Sequence, residues 1–382
     1  MARHRASPLV LAFPLMALAL LLTLALLLTA VATFARPQPT PFLAQLHTIG
    51  VLASTVPSNG DLNPYGVAVV PHSTGTLVAG NVLVSNFNNA TNAQGTGTTI
   101  VQVTPGGTVS QFAHIALSPS ACPGGVGLTT ALGVLQRGWV IVGSLPTADG
   151  TAATAGAGCL IVLDSTGVVV ETFTDANING PWDMTIADGG ASATLFVSNV
   201  LNGTVAANGA IVNGGTILRL TLAVPMQGAG MPSKLQETVI GSTFPERTDP
   251  AALVIGPTGL ALSDGTLYIA DSLDNRIAAI ANALTITSSA GSGQDLWVGG
   301  ALDDPLGLTI VPNGDLVAVN GNDGKAVEVT PAGAQVAVKA LDNTVTRGGK
   351  NGGGALFGLA PVPGGGGLYF VDDNTNTLNL LH

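Results

Sequence analysis

The stretch LYIADSLDNRIAAI, residues 267 to 280, sets Asp271, Asp274, Asn275 and Arg276 between two apolar runs. Such a cluster reads either as a ligand site or as a tight turn between two strands. Recurrence separates the two readings, because a chemical motif normally occurs once whereas an architectural one repeats. Aligned on LYIAD (267–271), the chain repeats VLVSN at 82–86, LFVSN at 195–199, LVAVN at 316–320 and LYFVD at 368–372, with WVIVG at 139–143 as a degenerate sixth copy. Each run is rich in β-branched, aromatic and aliphatic residues and is closed by a short polar residue or Gly, which is a strand signature.

Another apolar run precedes each copy: NPYGVAVV from Asn63, GPWDMTIA from Gly180, GPTGLALS from Gly256, DPLGLTIV from Asp304 and GALFGLAPV from Gly354, with ALGVL (131–135) the weaker version. A third run follows each copy, as in TIVQV, CLIVL, TILRL, RIAAI, AVEV and TLNLL. Five units continue into a fourth run, TVSQF, VVVETF, KLQETV, QDLWV and QVAVKA, while the sixth ends with the chain at TLNLLH. Units of four short strands spaced by about 48 to 76 residues indicate propeller blades rather than β-helix rungs. The unassigned run LHTIGVLA (46–53) is the expected fourth strand of the last blade, and its pairing would close the ring and hide two sheet edges. The expected fold is therefore all-β, a six-bladed β-propeller over residues 46–382 closed by an N-terminal strand.

PTGLALSDGTLYIADSLDNRIAAI (257–280) resembles an NHL repeat, and the six-unit layout is similar to six-bladed NHL-type propellers, within the broader gluconolactonase- and strictosidine-synthase-like group. The resemblance covers nearly all of residues 42–382. It implies a fold and says little of function, because such propellers serve both as scaffolds and as enzymes. In this frame Asp271 ends a strand and ties down the next turn, with Arg276 paired to Asp271 or Asp274.

The first residues carry Arg3 and Arg5, and no charged residue follows until Arg36, across a stretch dominated by Leu and Ala. This predicts a signal helix in residues 1–32, cleaved after Ala32 at Ala30-Val31-Ala32, with a linker over 33–45. The alternative is an uncleaved anchor over 9–32, the one route to a membrane. Cleavage removes two of the 12 Lys and Arg and none of the 22 Asp and Glu, so the remainder carries a formal charge of −12. Nucleic acid is not an expected partner of such a chain. The protein is expected to be secreted or periplasmic, where Cys122 and Cys159 can form a disulfide or remain separate buried thiols.

The loops joining strands two to three, and four to the next blade, are long, as in SLPTADGTAATAGAG (144–158) and GSTFPERTDPAAL (241–253). They gather on one face, where binding would reside, although tolerated insertion explains them equally well. The residues opening each innermost strand should ring the channel mouth there: Asn63, Trp182, Asp183 and Asp304, with Arg247 and Glu246 reaching over them or pairing with each other. Asn63, Asp183 and Asp304 form a candidate calcium set of oxygen ligands. This loosely resembles the metal position of gluconolactonase-like propellers, although those carry a denser acidic set. Trp182 reads either as an exposed surface for a sugar or peptide or as a plug between blades.

Four His remain after cleavage, His47, His72, His114 and His382, and none falls in the ring positions that a zinc lyase or quinone-dependent dehydrogenase would need. ALSDG (261–265) is one letter from a nucleophile elbow but sits in a strand-to-strand turn. No catalytic residue is assigned and no cofactor is expected beyond calcium. The leading expectation is an exported binding module for a protein, peptide or glycan. The rivals are a calcium-dependent lactonase-like hydrolase at the channel mouth and a quinone-dependent redox propeller.

Overall fold

The computed structural model describes Met1, Ala2 and residues 40–250, 252–344 and 352–382. The leader lies outside the described residues, and among these no helix is long and apolar enough to cross a membrane. Pro41–His382 forms one compact unit.

Six antiparallel sheets are present. Blade 1 consists of β2 (Leu62–Val69), β3 (Val82–Asn88), β4 (Thr99–Val103) and β5 (Val109–His114), and blade 2 of β6 (Leu128–Val134), β7 (Val140–Ser144), β8 (Cys159–Leu163) and β9 (Val169–Phe173). Blade 3 contains β10 (Pro181–Asp188), β11 (Ser192–Asn199), β12 (Val212–Ala223), β13 (Ser233–Asp249) and a fifth strand, β14 (Leu253–Ile255). Blade 4 is β15 (Pro257–Ser263), β16 (Thr266–Asp271), β17 (Arg276–Ile280) and β18 (Gln294–Val298), and blade 5 is β19 (Pro305–Ile310), β20 (Leu316–Asn320), β21 (Lys325–Thr330) and β22 (Ala334–Ala340). Blade 6 takes β23 (Leu356–Pro361), β24 (Leu368–Asp372) and β25 (Thr377–Leu381) from the end of the chain and β1 (Ile49–Ser54) from its beginning.

The closure expected from LHTIGVLA is therefore present. β1 runs antiparallel to β25, from Ile49 opposite Leu381 to Ser54 opposite Thr377. His47 and Thr48 extend the pairing, both donating to the His382 carbonyl. Part of the expected linker is ordered differently: Phe42–Gln45 forms one helical turn, α1, that buries Phe42 and Leu43. The buried Glu328 carboxylate accepts the Phe42 and Leu43 backbone N–H groups at 2.6 and 2.8 Å, tying the start of the ring to blade 5.

The innermost strands contact one another around the ring in the order β2, β6, β10, β15, β19, β23 and back to β2. Their Pro-x-Gly-like openings follow from how closely they approach. A Cβ on Gly307 would lie 2.0 Å from the Phe357 carbonyl oxygen, and one on Gly358 would lie 2.1 Å from that of Tyr65, so only Gly fits. The Ser of the SN motifs is a clasp between blades. Ser85 Oγ takes the Gly66 N–H and donates to the Thr129 carbonyl, and Ser198 Oγ takes the Asp183 N–H and donates to the Thr258 carbonyl.

The opening cluster is a turn. Arg276 Nε donates to Asp271 at 2.9 Å and its Nη2 lies 2.8 Å from the same carboxylate oxygen, with Asp295 on the outer side. Asn275, at a left-handed φ of 48°, turns its side chain to accept the Asp304 N–H at 2.7 Å. Asn376 does the same for Asn63, also at 2.7 Å. Each turn thus fastens the first residue of the following blade.

Cys122 and Cys159 form the disulfide, 37 residues apart, inside the apolar layer between blades 1 and 2. In the chain-entropy picture a loop of that length stabilises by about 3–4 kcal/mol. The double substitution to Ala should lower the urea midpoint correspondingly, and reductant should lower that of the wild type. A chain starting at Thr55 should expose the β25 edge and elute as aggregate, not monomer, on size exclusion.

Candidate functional site

The channel is blocked along its axis. Tyr65 stacks on Phe357 and Phe87, with ring centroids 3.9 and 4.4 Å apart, and Trp182 tilts against Tyr65 and Phe357 at 6.4 Å. Trp182 is 2% exposed, and its indole N–H donates to the Val254 carbonyl at 3.1 Å. Trp182 is the plug and not an exposed binding surface. Its partner Val254 belongs to a hairpin where the sequence predicts a loop: β13 runs on to Asp249, pairs with β14, and buries Ala252 to Ile255 over the aromatic stack. An apolar run of four residues has no favourable place in solvent, and the aromatic stack offers it one.

This plug divides the expected ring of ligands. Asn63 and Asp304 stand on the long-loop side. Asp183 does not, because it lines a cavity at the short-turn end together with Val69, Val134, Ile186, Thr309 and Pro361. Asp183 lies one residue further along the inner strand, in the irregular stretch between Pro181 and Met184, and its carboxylate accepts the Leu260 N–H of blade 4. The Asn63–Asp183–Asp304 set is therefore not assembled, and among the described residues no three His, Cys, Asp or Glu gather where they could hold a metal ion. The residues present do not form a calcium cage, which needs six to eight oxygens.

Asn63 and Asp304 also have a backbone reason to be where they are. Each holds a positive φ, 62° and 59°, directly before Pro, and Gly180 holds 69° at the matching place in blade 3. Asn, Asp and Gly are the residues that accept this conformation most readily.

The mouth nevertheless collects polar atoms whose hydrogen bonding is incomplete. Asn63 Oδ1, the Tyr65 hydroxyl and Asp304 Oδ1 are buried and form no hydrogen bond among the described residues. Asp304 shares a pocket of about 180 Å³ with Arg247, Ser272, Asn275 and Asn322. Burial, and then the charge of Asp249, push the Asp304 carboxyl up to about 7 against the pull of Ser272 and Arg247. Burial first and Asp373 second push the Tyr65 hydroxyl well above the usual tyrosine range. Asp373 is itself raised to about 7 by burial and by Asp372 beside it.

Arg247 does reach into the mouth, but its partner is Asp249 at 3.0 Å, not Glu246. Glu246 points the other way and is fully buried, with a carboxyl that burial pushes up to about 8 against the nearby Asn202 backbone N–H. Sequence reading missed Tyr65, Asp249 and Asp373. Tyr65 had a usable signal, since it directly precedes the inner-strand Gly66 as the plug Phe357 precedes Gly358 in blade 6.

No protein-family model matches the sequence, and no curated protein does, so the NHL repeat stands as a resemblance of motif. Solved structures do superpose. The gluconolactonase of Xanthomonas campestris aligns at TM-score 0.50 and 13% identity over 91% of this chain and 98% of that one. The calcium-binding protein regucalcin from Agrobacterium tumefaciens aligns at 0.52 and 13% over 86% and 92%, and a luciferin-regenerating enzyme at 0.53 and 11% over 87% and 94%. At such identities the likeness is one of fold: this chain is a six-bladed propeller like theirs.

Asp183, Asp304 and Asp373 at about 7 and Glu246 at about 8 all hold protons in the folded state that the unfolded chain releases near the ordinary carboxyl range. Between about pH 4 and pH 8 the native state binds more protons, so stability falls as pH rises. The melting temperature should be several degrees lower at pH 8 than at pH 5. Glu246→Gln, which fixes the neutral form, should remove part of that fall.

Proposed function

We propose that this propeller is a lactonase-like hydrolase of small polar lactones or esters, acting at the long-loop mouth. The observation that carries the reading is Asp304, whose carboxylate has an unpartnered oxygen and shares one pocket with the Arg247 guanidinium. A carboxylate that titrates near neutrality is matched to general-base work, and a neighbouring guanidinium is matched to a developing oxyanion. As the oxygen of a water attacks the substrate carbonyl carbon, its proton passes to Asp304 Oδ1 and Arg247 balances the negative charge on the carbonyl oxygen. The ring C–O bond then breaks, and the departing alkoxide recovers the proton from Asp304. The gluconolactonase among the fold neighbours supports this reaction class. The neighbouring regucalcin is named for calcium, but the separation of Asp183 from the mouth leaves no cage through which to route a step. The Cys122–Cys159 disulfide supports a site of action outside the cytoplasm.

A second reading, a binding module for a peptide or glycan, has its own observation. The mouth pocket is below the roughly 300–1,000 Å³ of most ligand sites, whereas a rim pocket of about 390 Å³ beside the hairpin is lined by Asn92, Gln94, Thr151 and Thr248. Amides and hydroxyls of this kind suit sugars and peptide backbone.

Hydrolysis of a panel of sugar lactones, acyl lactones and aryl esters, followed from pH 5 to 9 with calcium or with chelator, separates the two. Turnover should rise as Asp304 loses its proton near pH 7. Asp304→Asn should lower kcat/KM by about 10²-fold or more, the usual contribution of a general base, and Arg247→Gln should lower kcat. No turnover on any substrate, with binding on a glycan or peptide array, would establish the binding module instead.

A further inference from the structure

The end of the channel opposite the mouth has a cavity of about 330 Å³, formed by the downstream halves of the inner strands. The aromatic plug separates it from the mouth. Its wall combines aliphatic side chains with polar backbone groups and the hydroxyl residues Thr130, Thr185 and Thr309, and it adjoins a smaller space of about 160 Å³ toward blades 4 and 5. The volume lies at the small end of the roughly 300–1,000 Å³ range of ligand pockets.

Asp183 is the one titratable group in that wall. It stands where four of the other five blades have Gly66, Gly259, Gly307 and Gly358 and blade 2 has Ala131. At those glycines a Cβ would meet a neighbour within 3 Å. Blade 3 therefore departs from the packing rule at this level to carry a carboxylate. One of its oxygens accepts the Leu260 N–H at 2.8 Å across the gap to blade 4. No Lys, Arg or His lines the cavity, and the described ion pairs do not include Asp183. A carboxylate in a half-enclosed space that holds no protein cation is costly to ionise, and the charge is best balanced by a cation brought from outside. Burial accordingly pushes Asp183 up to about 7 against the Leu260 and Met184 N–H groups.

We infer that this cavity is a second ligand site, distinct from the mouth, that takes a small primary amine: its ammonium bonds to Asp183 and its apolar body lies against Leu132, Met184, Leu308 and Leu359. The amine class follows from the wall. An anion or a metal ion would find one carboxylate and no further charged partner, whereas an alkylammonium uses the carboxylate and the aliphatic surface together.

The test uses n-hexylamine, n-hexanol and hexanoate as probes, with titration calorimetry and thermal melting at pH 8. Hexylamine should bind one to one and raise the melting temperature in a concentration-dependent way. Hexanol should bind at least about tenfold more weakly, since a hydrogen bond to a charged group is worth roughly 1.5–3 kcal/mol. Asp183→Asn should lose the amine preference while leaving lactone turnover unchanged. If that variant does not fold, the wild type still decides: amine binding should weaken from pH 8 to pH 5 as Asp183 takes up its proton, no other titratable group facing the cavity. Equal binding of hexanol and hexylamine, no binding of either, or amine binding indifferent to pH would reduce Asp183 to a strut between blades 3 and 4 and overturn the site.

Discussion

The pairing of β1 with β25 is the constraint on which the rest of the molecule depends. Blades 1 to 5 are built from contiguous chain and need only local turns. Blade 6 needs residues more than 300 positions apart, and without them the last sheet keeps an open edge and the inner strands have no reason to meet in a circle. α1 and the Glu328 carboxylate reinforce this closure from a neighbouring blade, so the start of the ring is held both by a ladder and by two charge-assisted bonds to backbone N–H groups.

Once the ring is closed, the inner strands come so close that side-chain volume at the channel becomes the scarce quantity. Gly at four of six positions answers that pressure on the short-turn side of the plug. On the mouth side it is answered by the stacked rings of Tyr65 and Phe357 with Trp182 tilted against them, and by the 252–255 segment laid over all three. The consequence for function is a channel split into two unconnected ends. A guanidinium and a carboxylate, Arg247 and Asp304, lie at one end, and a cavity with a lone carboxylate and no cation at the other.

Several polar residues that look functional in the sequence prove to have double duty. Asn63 and Asp304 supply a left-handed turn before Pro and also present oxygen atoms to the mouth. Asp271, by contrast, is a fastener, held by Arg276 inside its own turn. Each of the three keeps one buried oxygen without a partner, and what sets Asp304 apart is that it shares a pocket with a guanidinium, whereas the guanidinium beside Asp271 is bonded to Asp271 itself. Such an oxygen is costly in an interior unless a water, ligand or proton completes it.

The repeated LYIAD-type and Pro-x-Gly runs determined the fold by themselves: strand period, turn residues and inter-blade Gly are local properties, written into each repeat, and six copies with one missing strand leave one way to close. The existence of the Cys122–Cys159 bridge and the fastening role of Asn275 and Arg276 were within reach of the same reasoning. The site was not. Whether Trp182 lies on a surface or in a plug, whether Asp183 joins Asp304 or is walled off from it, and whether Arg247 meets Glu246 or Asp249 depend on how six blades tilt their side chains into one axis. They depend also on the 247–255 hairpin, whose burial is set by aromatic partners contributed from blades 1, 3 and 6. Those contacts join residues distant in sequence, so only the tertiary structure decided them, because only there is the shared volume at the axis contested.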